Sequence, residues 1–558
     1  MKNKINKKER IELANYLKIP VNVLTYILYK VNTDNLYTTF TIPKKNGDER
    51  IIHAPYDKLK SIQRTIADNL YEYKAERNTE INVNKYVAHA FEKGKSIITN
   101  AKIHRNKRYV FNIDLENFFD SFHFGRVAGF FEKNKDFRWK KSMGIMLAQL
   151  TCYKGVLPQG SPCSPIITNL ICNILDMRIL NLARKYRLDY TRYADDLTFS
   201  TNDKKFLDYK NEFYCKLSKE IEKAGFKINE SKTRLVFKDS RQEVTGIVVN
   251  EKLNVNRDFI KKTRAMADSL YKKGEFFIGE EKGNINQLEG RFSFIDQLDR
   301  YNNKNSSNVK HNVFNLNSRE REYQKFLVYK YFFSNEKPII VTEGKTDILY
   351  LKAALKKFVE LYPELIEKGL NGGFEFKVCF LKKTKRLKYF LNIQSDGADT
   401  MKNIYNFYSG KGNFPNYAEY FRKNGINCFC NNVILIFDNE LVKNMPLKKF
   451  INHVEERICE KELKEKCKTK IKDNLFIVTN PMIEGKEKCA IEDLFDDEVL
   501  KHTIDGKSFS NKNKFDIKKE YGKDLFSKYI FKNYESINFD RFVPMLDAIK
   551  TIIQDSKR

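Results

Sequence analysis

An Asn- and Ser-rich segment, YNNKNSSNVKHNVFNLNS from Tyr301 to Ser318, divides the sequence into two parts with different patterns. The segment has few residues that could pack in a core, which is typical of a connection between domains. At 558 residues, the chain is also longer than the roughly 250–300 residues at which one hydrophobic core stops growing. The sequence therefore predicts at least two domains, with the main connection in this segment.

Short, continuously apolar runs characterise the second part of the chain. These runs are KPIIVTE (Lys337 to Glu343), VILIFDNE (Val433 to Glu440) and LFIVTN (Leu475 to Asn480). Runs of this kind suit strands that are covered on both faces, as in a parallel sheet. A helix is expected from Glu320 to Phe333, and we interpret the lysine-rich stretch from Lys464 to Asn474 as a solvated helix face. The second part is therefore predicted to be an α/β domain.

The charge balance of the chain points to a polyanionic partner. Lysine and arginine outnumber aspartate and glutamate by 102 to 72, which gives a formal net charge of +30. An excess of this size attracts nucleic acid through counterion release and long-range steering. Coding bias toward lysine and asparagine is an alternative explanation, so charge alone does not establish this partner.

The cysteine spacing and the hydropathy of the sequence indicate the cellular compartment in which the protein is expected. The ten cysteines form no CxxC pair, and the seven histidines do not fall at zinc-ligand spacing beside them. The basic N-terminus lacks an apolar signal core, and no run of about 18 apolar residues occurs. We therefore expect a cytoplasmic protein with reduced thiols and no membrane contact.

An aspartate pair, Asp195 and Asp196, lies between β-prone residues in the segment TRYADDLTFS. This pattern predicts a hairpin with the acids near its tip, although most such pairs are ordinary turns. A third acid, Asp114, ends the β-like run YVFNID. Three carboxylates about 4 Å apart would repel by ~4 kcal/mol per pair at an effective dielectric constant of about 20, so such a cluster needs cations. Two Mg²⁺ ions there could activate a hydroxyl and stabilise a leaving pyrophosphate.

An ordered set of motifs surrounds these acids. In chain order, the motifs are IPKKNGDERIIHAP (Ile42 to Pro55), NIDLENFFDSF (Asn112 to Phe122), LPQGSPCSPIITN (Leu157 to Asn169), YADD (Tyr193 to Asp196), GFKINESKT (Gly225 to Thr233) and TGIVVN (Thr245 to Asn250). NAKIH (Asn100 to His104) and Val244-Thr245-Gly246 fit two further signatures. The set resembles the reverse transcriptases of bacterial retrons. The resemblance implies a right-hand polymerase of fingers, palm and thumb, with Asp114, Asp195 and Asp196 as catalytic ligands of two Mg²⁺ ions. It also implies that the motif from Ile42 to Pro55 forms the template-gripping fingers and that Arg257, Lys261, Lys262 and Arg264 lie on a helix of the thumb.

The resemblance also implies roles for single residues. Phe119 resembles the steric gate that excludes a ribose 2′-OH, with a core position as the alternative. Gly160 would let the backbone approach the primer-template closely. The other residues implied in nucleotide binding or selection are Lys44, Arg50, Gln159 and Lys232. The residues implied in RNA or DNA contact are Asn100, His104, Val244, Thr245, Gly246, Arg257, Lys261, Lys262 and Arg264. A structural role is the alternative for His104, and a solvated basic face is the alternative for the last four.

A second group of acids follows the apolar runs of the second part. Glu343 ends the first run, Gly344 permits a tight turn, and Asp347 falls in the first turn of the next helix. Asp438 and Glu440 end the second run. Because α/β sheets bind ligands at the carboxyl ends of their parallel strands, we expect these acids to meet at one edge. Such an oxygen-rich site would take one or two Mg²⁺ or Mn²⁺ ions, although acids also cap helices routinely.

The pattern EGKTD followed by DNE resembles the TOPRIM fold of topoisomerases, primases and related nucleases, over about Lys337 to Phe495. Glu492 and Asp493, in the segment IEDLF, resemble an accessory acidic segment of the nuclease members. The second motif departs from the usual DxD pattern, because Glu440 occupies its last position. The resemblance therefore implies metal binding but leaves its geometry open.

The complete prediction is an α+β right-hand polymerase followed by an α/β TOPRIM domain. The parts are a reverse transcriptase (1–300), a linker and connecting helix (301–336), a TOPRIM domain (337–500) and a C-terminal extension (501–558). The resemblance implies that the enzyme uses deoxynucleoside triphosphates to copy its cognate structured noncoding RNA into a branched, RNA-linked single-stranded DNA. The TOPRIM domain would be a nuclease effector in antiphage defence.

Two alternatives to this function stay open. One is a group II intron-like reverse transcriptase, although neither a maturase nor a Cys/His-rich endonuclease pattern is evident. The other is a TOPRIM domain that only binds nucleic acid or mediates assembly. A homo-oligomer is also compatible with the sequence.

Overall fold

The computed structural model of the chain describes residues 7–31, 33–44, 47–81, 87–305, 313–369, 371–394, 399–424, 429–512 and 514–555. Residues 306–312 of the predicted connection lie outside this part. The chain divides into two compact units, Met1–Asn256 and Arg257–Arg558, which we call unit 1 and unit 2.

The division between the units lies earlier in the chain than the boundary predicted at residue 300. The helix Arg257–Lys273, which was predicted to belong to the polymerase thumb, buries Leu270 and Tyr271 in the main hydrophobic cluster of unit 2. The helix Ile285–Asn305 buries Phe292 in the same cluster. The predicted boundary is therefore corrected, because the apolar faces of both helices pack within unit 2.

The described part of unit 1 contains short strands and mostly longer helices. The strands are β1 (Tyr37–Pro43), β2 (Glu49–Pro55), β3 (Tyr109–Leu115), β4 (Asp189–Tyr193), β5 (Asp196–Thr201), β6 (Ile228–Phe237), β7 (Glu243–Val244) and β8 (Ile247–Val248). The helices are α1 (Lys7–Tyr16), α2 (Val21–Tyr29), α3 (Asp57–Ile81), α4 (Ile97–Ile103), α5 (Phe124–Lys133), α6 (Lys141–Thr151), α7 (Ser164–Lys185) and α8 (Phe206–Lys223).

An antiparallel sheet with the strand order β4-β5-β3-β6 lies at the centre of unit 1. Strand β3 is buried along most of its length because it lies between β5 and β6. Its residues Phe111 and Ile113 share one hydrophobic cluster with Ile171 and Leu175 of α7. Among the described helices, α7 is the one that is long and apolar enough to cross a membrane, and most of its apolar stretch is buried within the protein.

Strands β1 and β2 form a separate, largely exposed hairpin in unit 1. Its loop contains Gly47, whose φ of +91° lies in the left-handed region. Lys44 and Arg50 flank this loop and are exposed, whereas the neighbouring Lys45 lies outside the described residues. The hairpin corresponds to the segment predicted to form the template-gripping fingers.

The described part of unit 2 mixes short strands with helices on both sides of a sheet. The strands are β9 (Phe277–Ile278), β10 (Glu281–Lys282), β11 (Ile339–Thr342), β12 (Ile366–Lys368), β13 (Phe374–Phe376), β14 (Cys379–Phe380), β15 (Val433–Phe437), β16 (Lys468–Lys472), β17 (Leu475–Thr479), β18 (Ser508–Phe509) and β19 (Glu520–Tyr521). The helices are α9 (Arg257–Lys273), α10 (Ile285–Asn305), α11 (Ser318–Val328), α12 (Asp347–Lys357), α13 (Lys385–Leu391), α14 (Asp399–Ser409), α15 (Tyr417–Lys423), α16 (Pro446–Ile451), α17 (Glu460–Lys466), α18 (Asp497–Leu500), α19 (Lys523–Lys532) and α20 (Val543–Asp555).

The main sheet of unit 2 has the strand order β14-β11-β15-β17-β16. Its first four strands are parallel, and the three predicted apolar runs form β11, β15 and β17. Alternate residues of β15 face opposite sides: Val433 and Leu435 pack in one hydrophobic cluster, and Ile434 and Ile436 pack in another. Helices cover both faces, so the expected α/β architecture is confirmed.

The C-terminal extension is part of this α/β fold. Helix α19 packs against α12, and α20 packs against β16 and β17. Phe526 of α19 and Ile549 of α20 are buried in the same cluster as Ile434 of the sheet. The boundary predicted at residue 500 is therefore corrected, since the extension closes one face of the sheet.

The lysine-rich stretch from Lys464 to Asn474 also differs from its prediction. Helix α17 ends at Lys466, and Lys468–Lys472 forms strand β16, antiparallel to β17 at the edge of the sheet. Exposed lysines on an edge strand discourage pairing with another chain, so this charge pattern suits an edge strand as well as a helix. The predicted helix of the connection is present as α11, followed by a single π-helical turn at Tyr329–Phe333.

Candidate active sites

The hairpin of β4 and β5 presents the predicted aspartate pair of unit 1. Tyr193 pairs with Asp196, so Ala194 and Asp195 form a two-residue loop. Ala194 has a φ of +56°, in the left-handed region that tight hairpin loops use. On the neighbouring strand β3, Asp114 lies directly opposite Asp196. The antiparallel register therefore brings together the three acids that the sequence predicted to act together.

Lys232, on β6, supplies a cation to this acidic group. Its Nζ donates hydrogen bonds to Oδ1 and Oδ2 of Asp114 at 3.0 and 3.1 Å. The Asp114 side chain is 11% exposed and the Lys232 side chain is 60% exposed, so the ammonium group approaches from the solvent side. The structure therefore places Lys232 beside the acids, where sequence analysis expected contact with a nucleotide.

The carboxyl groups of Asp195 and Asp196 have raised pKa values. Although Asp196 keeps contact with solvent, partial desolvation and then the charges of Asp195 and Asp114 raise its pKa to about 7. Desolvation also raises the pKa of Asp195, against the charges of Lys232 and Arg50. In the described part of the chain, no three His, Cys, Asp or Glu side chains converge on a ready-made metal position. A divalent cation would nevertheless relieve the repulsion among these carboxylates, and carboxylate oxygens are ligands that fit Mg²⁺.

A buried hydrogen-bond network fixes the base of this hairpin. Arg192 is fully buried, and its Nε and Nη2 donate to the two carboxylate oxygens of Asp176 at 2.8 and 2.7 Å. Its Nη2 also donates to Oδ1 of Asn169, and its Nη1 donates to the carbonyl oxygen of Ala194, both at 3.1 Å. The network ties α7 to the loop that carries Asp195. Arg192 and Asp176 were not predicted, although Asp176, as the one charged residue of the mostly apolar run from Leu170 to Met177, was a usable signal.

Phe118 and Phe119 differ in their exposure. Phe118 is 4% exposed and stacks on Phe226 with 5.7 Å between ring centroids. Phe119 is only partly buried and contacts Phe118 and Phe91 edge-to-face, at 5.5 and 6.4 Å. Phe118 is therefore the core residue of the two, whereas the role of Phe119 as a steric gate stays a prediction.

Gly160 is required by a contact within unit 1. Its φ is +121°, and a Cβ at this position would lie 2.6 Å from the carbonyl oxygen of His53. The preceding carbonyl group, of Gln159, accepts a hydrogen bond from the backbone N–H of His53 at 2.7 Å. The glycine therefore allows a close approach to β2, which belongs to the exposed hairpin, and its predicted approach to a primer-template stays a prediction.

The NAKIH signature has a structural role in unit 1. Asn100 and His104 are both buried, with exposures of 1% and 0%. The two ring nitrogens of His104 lie 2.7 Å from the hydroxyl groups of Thr191 and Ser200, which belong to β4 and β5. Burial lowers the pKa of His104 to about 3, so the ring is neutral. The predicted direct contact of Asn100 and His104 with RNA is therefore corrected to a role in packing.

The second signature, Val244-Thr245-Gly246, forms a tight turn. Val244 is buried, and Thr245 and Gly246 are the two-residue loop between β7 and β8, with φ values of +49° and +78°. Helix α4, which carries most of the NAKIH signature, packs against both strands. The two signatures are therefore in contact, and RNA contact by the exposed turn stays a prediction.

The basic residues predicted on the thumb lie on α9 of unit 2. Arg257, Lys261, Lys262 and Arg264 are all exposed, whereas Ile260 of the same helix is buried. An exposed basic face of this kind can contact a nucleic-acid backbone. This contact also stays a prediction.

Comparison with known proteins decides the family of the chain. A sequence model of the family described as reverse transcriptase (RNA-dependent DNA polymerase) matches residues 42–252, within unit 1. The chain is 32% identical over 291 residues to the retron Ec86 reverse transcriptase of Escherichia coli, in a match that covers 52% of this chain and 84% of that protein. The chain belongs to the retron reverse transcriptases.

Two other matches of this retron reverse transcriptase cover a smaller share of the matched protein. The retron Mx162 reverse transcriptase of Myxococcus xanthus is 33% identical over 317 residues, which covers 51% of this chain and 63% of that protein. This chain therefore spans less than two thirds of that relative. The solved structure of apo telomerase from Candida tropicalis has 12% identity and a TM-score of 0.32, over 52% of this chain and 60% of that chain.

Unit 2 of this retron reverse transcriptase has a second acidic group at the carboxyl ends of β11 and β15. Glu343 directly follows β11, Asp347 begins α12, and Asp438 directly follows β15. Oδ2 of Asp347 accepts a hydrogen bond from the backbone N–H of Gly344 at 2.8 Å. A Cβ on Gly344 would lie 2.8 Å from Oδ1 of Asp347, so a side chain at this position would displace the Asp347 carboxylate. The sheet thus brings Glu343, Asp347 and Asp438 to one edge.

Asp438 is held by two hydrogen-bond donors. Its Oδ1 accepts from Nδ2 of Asn480 at 2.8 Å and from the backbone N–H of Ile491 at 2.9 Å. Asn480 directly follows β17, so three adjacent parallel strands each deliver a polar side chain to the same edge. This arrangement is typical of ligand sites in α/β sheets.

Glu492 and Lys523 form an ion pair beside these acids. Nζ of Lys523 donates to Oε2 of Glu492 at 3.0 Å, and the two side chains are 37% and 2% exposed. Glu492 was predicted as an accessory acid. Lys523 was not predicted, because a single lysine in an extension without motifs gives no signal until the fold brings it to the sheet.

Asp493 and Glu440 have different surroundings. Asp493 accepts hydrogen bonds from the backbone N–H of Ala490 and from Nζ of Lys486, at 2.8 and 2.7 Å, so it caps a short turn. These contacts give it a structural role, and its accessory role stays a prediction. Glu440 is half-buried, and its charge contributes to the raised pKa of Glu343.

The acids of unit 2 have raised pKa values and unused oxygen atoms. Desolvation and then the charges of Asp347 and Glu440 raise the pKa of Glu343 to about 7. Desolvation and then the charges of Asp347 and Glu343 raise the pKa of Asp438 well above its usual range. Oε2 of Glu343 and Oε1 of Glu492 are buried without a hydrogen-bond partner among the described residues. Buried acceptors without donors fit a divalent cation with oxygen ligands.

A cleft of about 770 Å³ opens beside these acids. Glu343, Asp347 and Asp438 line one side of it. The C-terminal extension lines the other side with Lys507, Phe515, Ile517, Tyr521, Lys523 and Leu525. The extension therefore forms a wall of the candidate site.

Proposed function

We propose that unit 1 is an RNA-directed DNA polymerase that uses deoxynucleoside triphosphates and two Mg²⁺ ions. The observation that carries this proposal is the register that places Asp114 opposite Asp196 and beside Asp195, within the residues that match the reverse transcriptase family. These three carboxylates would hold the ions. When bound, the ions would activate the attacking hydroxyl and stabilise the leaving pyrophosphate.

Other residues of unit 1 would position the nucleotide. Lys232 has an exposed ammonium group beside the acids, where it could hold the negative charge of a triphosphate. The partly exposed ring of Phe119 would occupy the space that a ribose 2′-OH requires. Arg50, on the exposed hairpin, is suited to bidentate contact with phosphate.

The proposed product is a branched, RNA-linked single-stranded DNA copied from a cognate structured noncoding RNA, starting from a guanosine 2′-OH. Membership of the retron reverse transcriptases supports this product. Sequencing of the nucleic acid that copurifies with the protein tests it. We expect a covalent RNA–DNA chimera, and copurified RNA without attached DNA would contradict the proposal.

For unit 2 we propose a TOPRIM domain that acts as a metal-dependent nuclease in antiphage defence. The observation that carries this proposal is the group of Glu343, Asp347 and Asp438 at the carboxyl edge of a parallel sheet. The unpaired Oε2 of Glu343 supports a site for one or two Mg²⁺ or Mn²⁺ ions. When bound, such ions would present a water molecule and a scissile phosphate to each other.

The nuclease proposal is tested by incubating the purified chain with RNA and with DNA, in Mg²⁺ or Mn²⁺. Glu343→Ala should abolish cleavage in vitro and phage protection in cells. Glu367→Ala is the matched control, because Glu367 is an exposed residue of the same unit, outside the cleft. Full cleavage by Glu343→Ala would contradict the proposal.

A second candidate for unit 2 is a module that binds nucleic acid without cleaving it. Lys523 favours this candidate, because its ammonium group already neutralises part of the acidic group. Glu440 also favours this candidate. Its side chain is longer than the Asp of the DxD pattern and would shift a bound metal away from the productive position. Retained binding of RNA or DNA with no cleavage in either metal would select this candidate.

A further inference from the structure

We infer that unit 2 has a second binding site, for single-stranded nucleic acid, in a basic and aromatic pocket beside α10 and α13. The pocket has a volume of about 400 Å³. Its lining includes Arg300, Lys385, Lys388, Phe314, Tyr389 and Asn392. It shares no lining residue with the cleft beside Glu343, and the inference does not depend on nuclease activity.

The charge of the pocket fits a phosphate backbone. Lys385 and Lys388 are exposed and lie three residues apart on α13, so their side chains project from the same face of the helix. Among the described residues, no acidic side chain lines the pocket. Two exposed ammonium groups at this spacing can contact neighbouring phosphates of one strand.

Arg300 adds a fixed guanidinium group with an unused donor. Its guanidinium carbon lies 4.3 Å from the centroid of the Tyr389 ring, and its Nε donates to Oδ1 of Asp296 at 2.9 Å. Its Nη2 is buried and has no hydrogen-bond partner among the described residues. An unpaired buried donor is costly, and a phosphate or base oxygen would supply the missing acceptor.

Phe314 provides a surface on which a base can stack. Its side chain is 52% exposed, and its ring is held edge-to-face against Phe414 at 5.2 Å. Base stacking on an exposed aromatic ring is the usual device of proteins that bind single strands. Bases in a duplex are already stacked on each other, so this ring selects a single strand. A solvated basic helix face would explain the two lysines, but it would explain neither the exposed ring nor the unused donor of Arg300.

Photocrosslinking of the full chain tests the site. The probe is a 12-residue oligo-dT that carries one 5-iododeoxyuridine, which reacts with an aromatic ring stacked on it, and mass spectrometry locates the adduct. We expect an adduct at Phe314 or Tyr389 that an equal concentration of duplex DNA does not displace. The location of the adduct distinguishes this pocket from other nucleic-acid sites in the chain.

Matched charge reversals separate the pocket from general electrostatic attraction. Lys385→Glu/Lys388→Glu should lower the adduct yield by about 10-fold. The slope of log yield against log salt concentration should become smaller in magnitude by about 1.4, because two phosphate contacts are lost. Lys461→Glu/Lys464→Glu is the control, because these exposed lysines have the same spacing on α17 of the same unit. The control should change the yield by less than about 2-fold, and Phe314→Ala should remove the adduct, with thermal unfolding unchanged in each variant.

Three results would overturn the inference. The first is an adduct found only outside the pocket. The second is an equal loss of yield in the two charge-reversal variants. The third is displacement of the oligonucleotide by an equal nucleotide concentration of free dTMP, which would make the pocket a mononucleotide site. Glu343→Ala should leave the adduct unchanged, so failure of the nuclease proposal and failure of this inference are distinguishable.

Discussion

Unit 1 and unit 2 each hold a group of acids in which one member forms an ion pair with a lysine, but the two groups are built differently. In unit 1, Lys232 is 60% exposed and pairs with Asp114 at the edge of solvent. In unit 2, Lys523 is 37% exposed and pairs with Glu492, which is 2% exposed. The acids of unit 1 come from neighbouring antiparallel strands, whereas those of unit 2 follow parallel strands, begin helix α12 or lie in a short turn, and the C-terminal extension supplies Lys523.

This difference indicates how strongly the stability of each unit depends on the lysine at its acidic group. In unit 1 the exposed ammonium group of Lys232 keeps the pair with Asp114 in contact with solvent, so the loss of this lysine should cost less than the loss of a buried partner. In unit 2 the loss of Lys523 would leave Glu492 buried and unpaired. We therefore expect the lysine of unit 2, but not that of unit 1, to contribute strongly to stability.

The largest stability effect should come from the buried pair beneath the unit 1 hairpin. Arg192→Ala would leave Asp176 buried without its bidentate partner, so unit 1 should lose about 3–5 kcal/mol of unfolding free energy. Urea unfolding measures the loss. The control Lys216→Ala breaks an exposed pair with Glu212 and should leave the unfolding midpoint unchanged. An unchanged midpoint for Arg192→Ala would show that the pair does not hold the hairpin.

A smaller loss is expected at the ion pair of unit 2. Lys523→Ala should destabilise this unit by about 2–3 kcal/mol, because Glu492 keeps its burial and loses its partner. Lys528→Ala, which breaks an exposed pair on the same helix, should have little effect. Glu492→Gln should restore part of the stability when it is added to Lys523→Ala. If Lys523→Ala and Lys528→Ala unfold alike, the contrast between the two lysines is wrong.

Nucleotide selection should change at Phe119. Phe119→Val would vacate space against the 2′ position and reduce discrimination against ribonucleotides by on the order of 10- to 100-fold. Primer extension with mixed nucleotides measures this ratio. Phe118→Val is the contrasting variant: its ring is buried, so it should lower stability and leave selectivity unchanged. Parental selectivity in Phe119→Val would place the gate elsewhere.

A further effect should appear as a pH dependence of stability in the absence of metal. Asp196 and Glu343 have folded-state pKa values of about 7, above those of the unfolded chain, so the folded state binds more protons than the unfolded state. Each unit should therefore lose stability as the pH rises from about 4 to 7. Asp196→Asn should flatten this dependence in unit 1 alone, and Glu343→Gln in unit 2 alone. Thermal unfolding in EDTA between about pH 4 and pH 7 checks both variants. A rise in stability with pH over this range would contradict the assigned pKa shifts.

Local sequence patterns predicted most of the acids of the two sites but few of the residues that hold these acids in place. The hairpin that carries Asp195 and Asp196, and the strands that precede Glu343 and Asp438, follow from short runs of β-prone residues. The convergence of these acids in space depends on strand register and strand order, which only the resemblance to known families implied. Gly160 shows the limit of such reasoning, because its nearest neighbour is the backbone of His53.

The unpredicted residues act across long separations in the chain. Asp176 on α7 meets Arg192 on β4, and Lys523 reaches Glu492 only after the extension has packed on α12. No local pattern encodes such pairs, because each depends on how complete helices pack. The position of α9 and α10 in unit 2 has the same origin: both helices are locally predictable, but their packing partners are not.

The central claim is that the two acidic groups are separate metal sites with separate activities. DNA synthesis and nuclease activity should therefore be measured on the same two double variants, each shown to be folded. Asp195→Ala/Asp196→Ala should lose DNA synthesis by on the order of 1000-fold and keep nuclease activity. Glu343→Ala/Asp438→Ala should keep DNA synthesis and lose nuclease activity and phage protection. Undiminished synthesis in the first variant, or undiminished cleavage and protection in the second, would contradict the account.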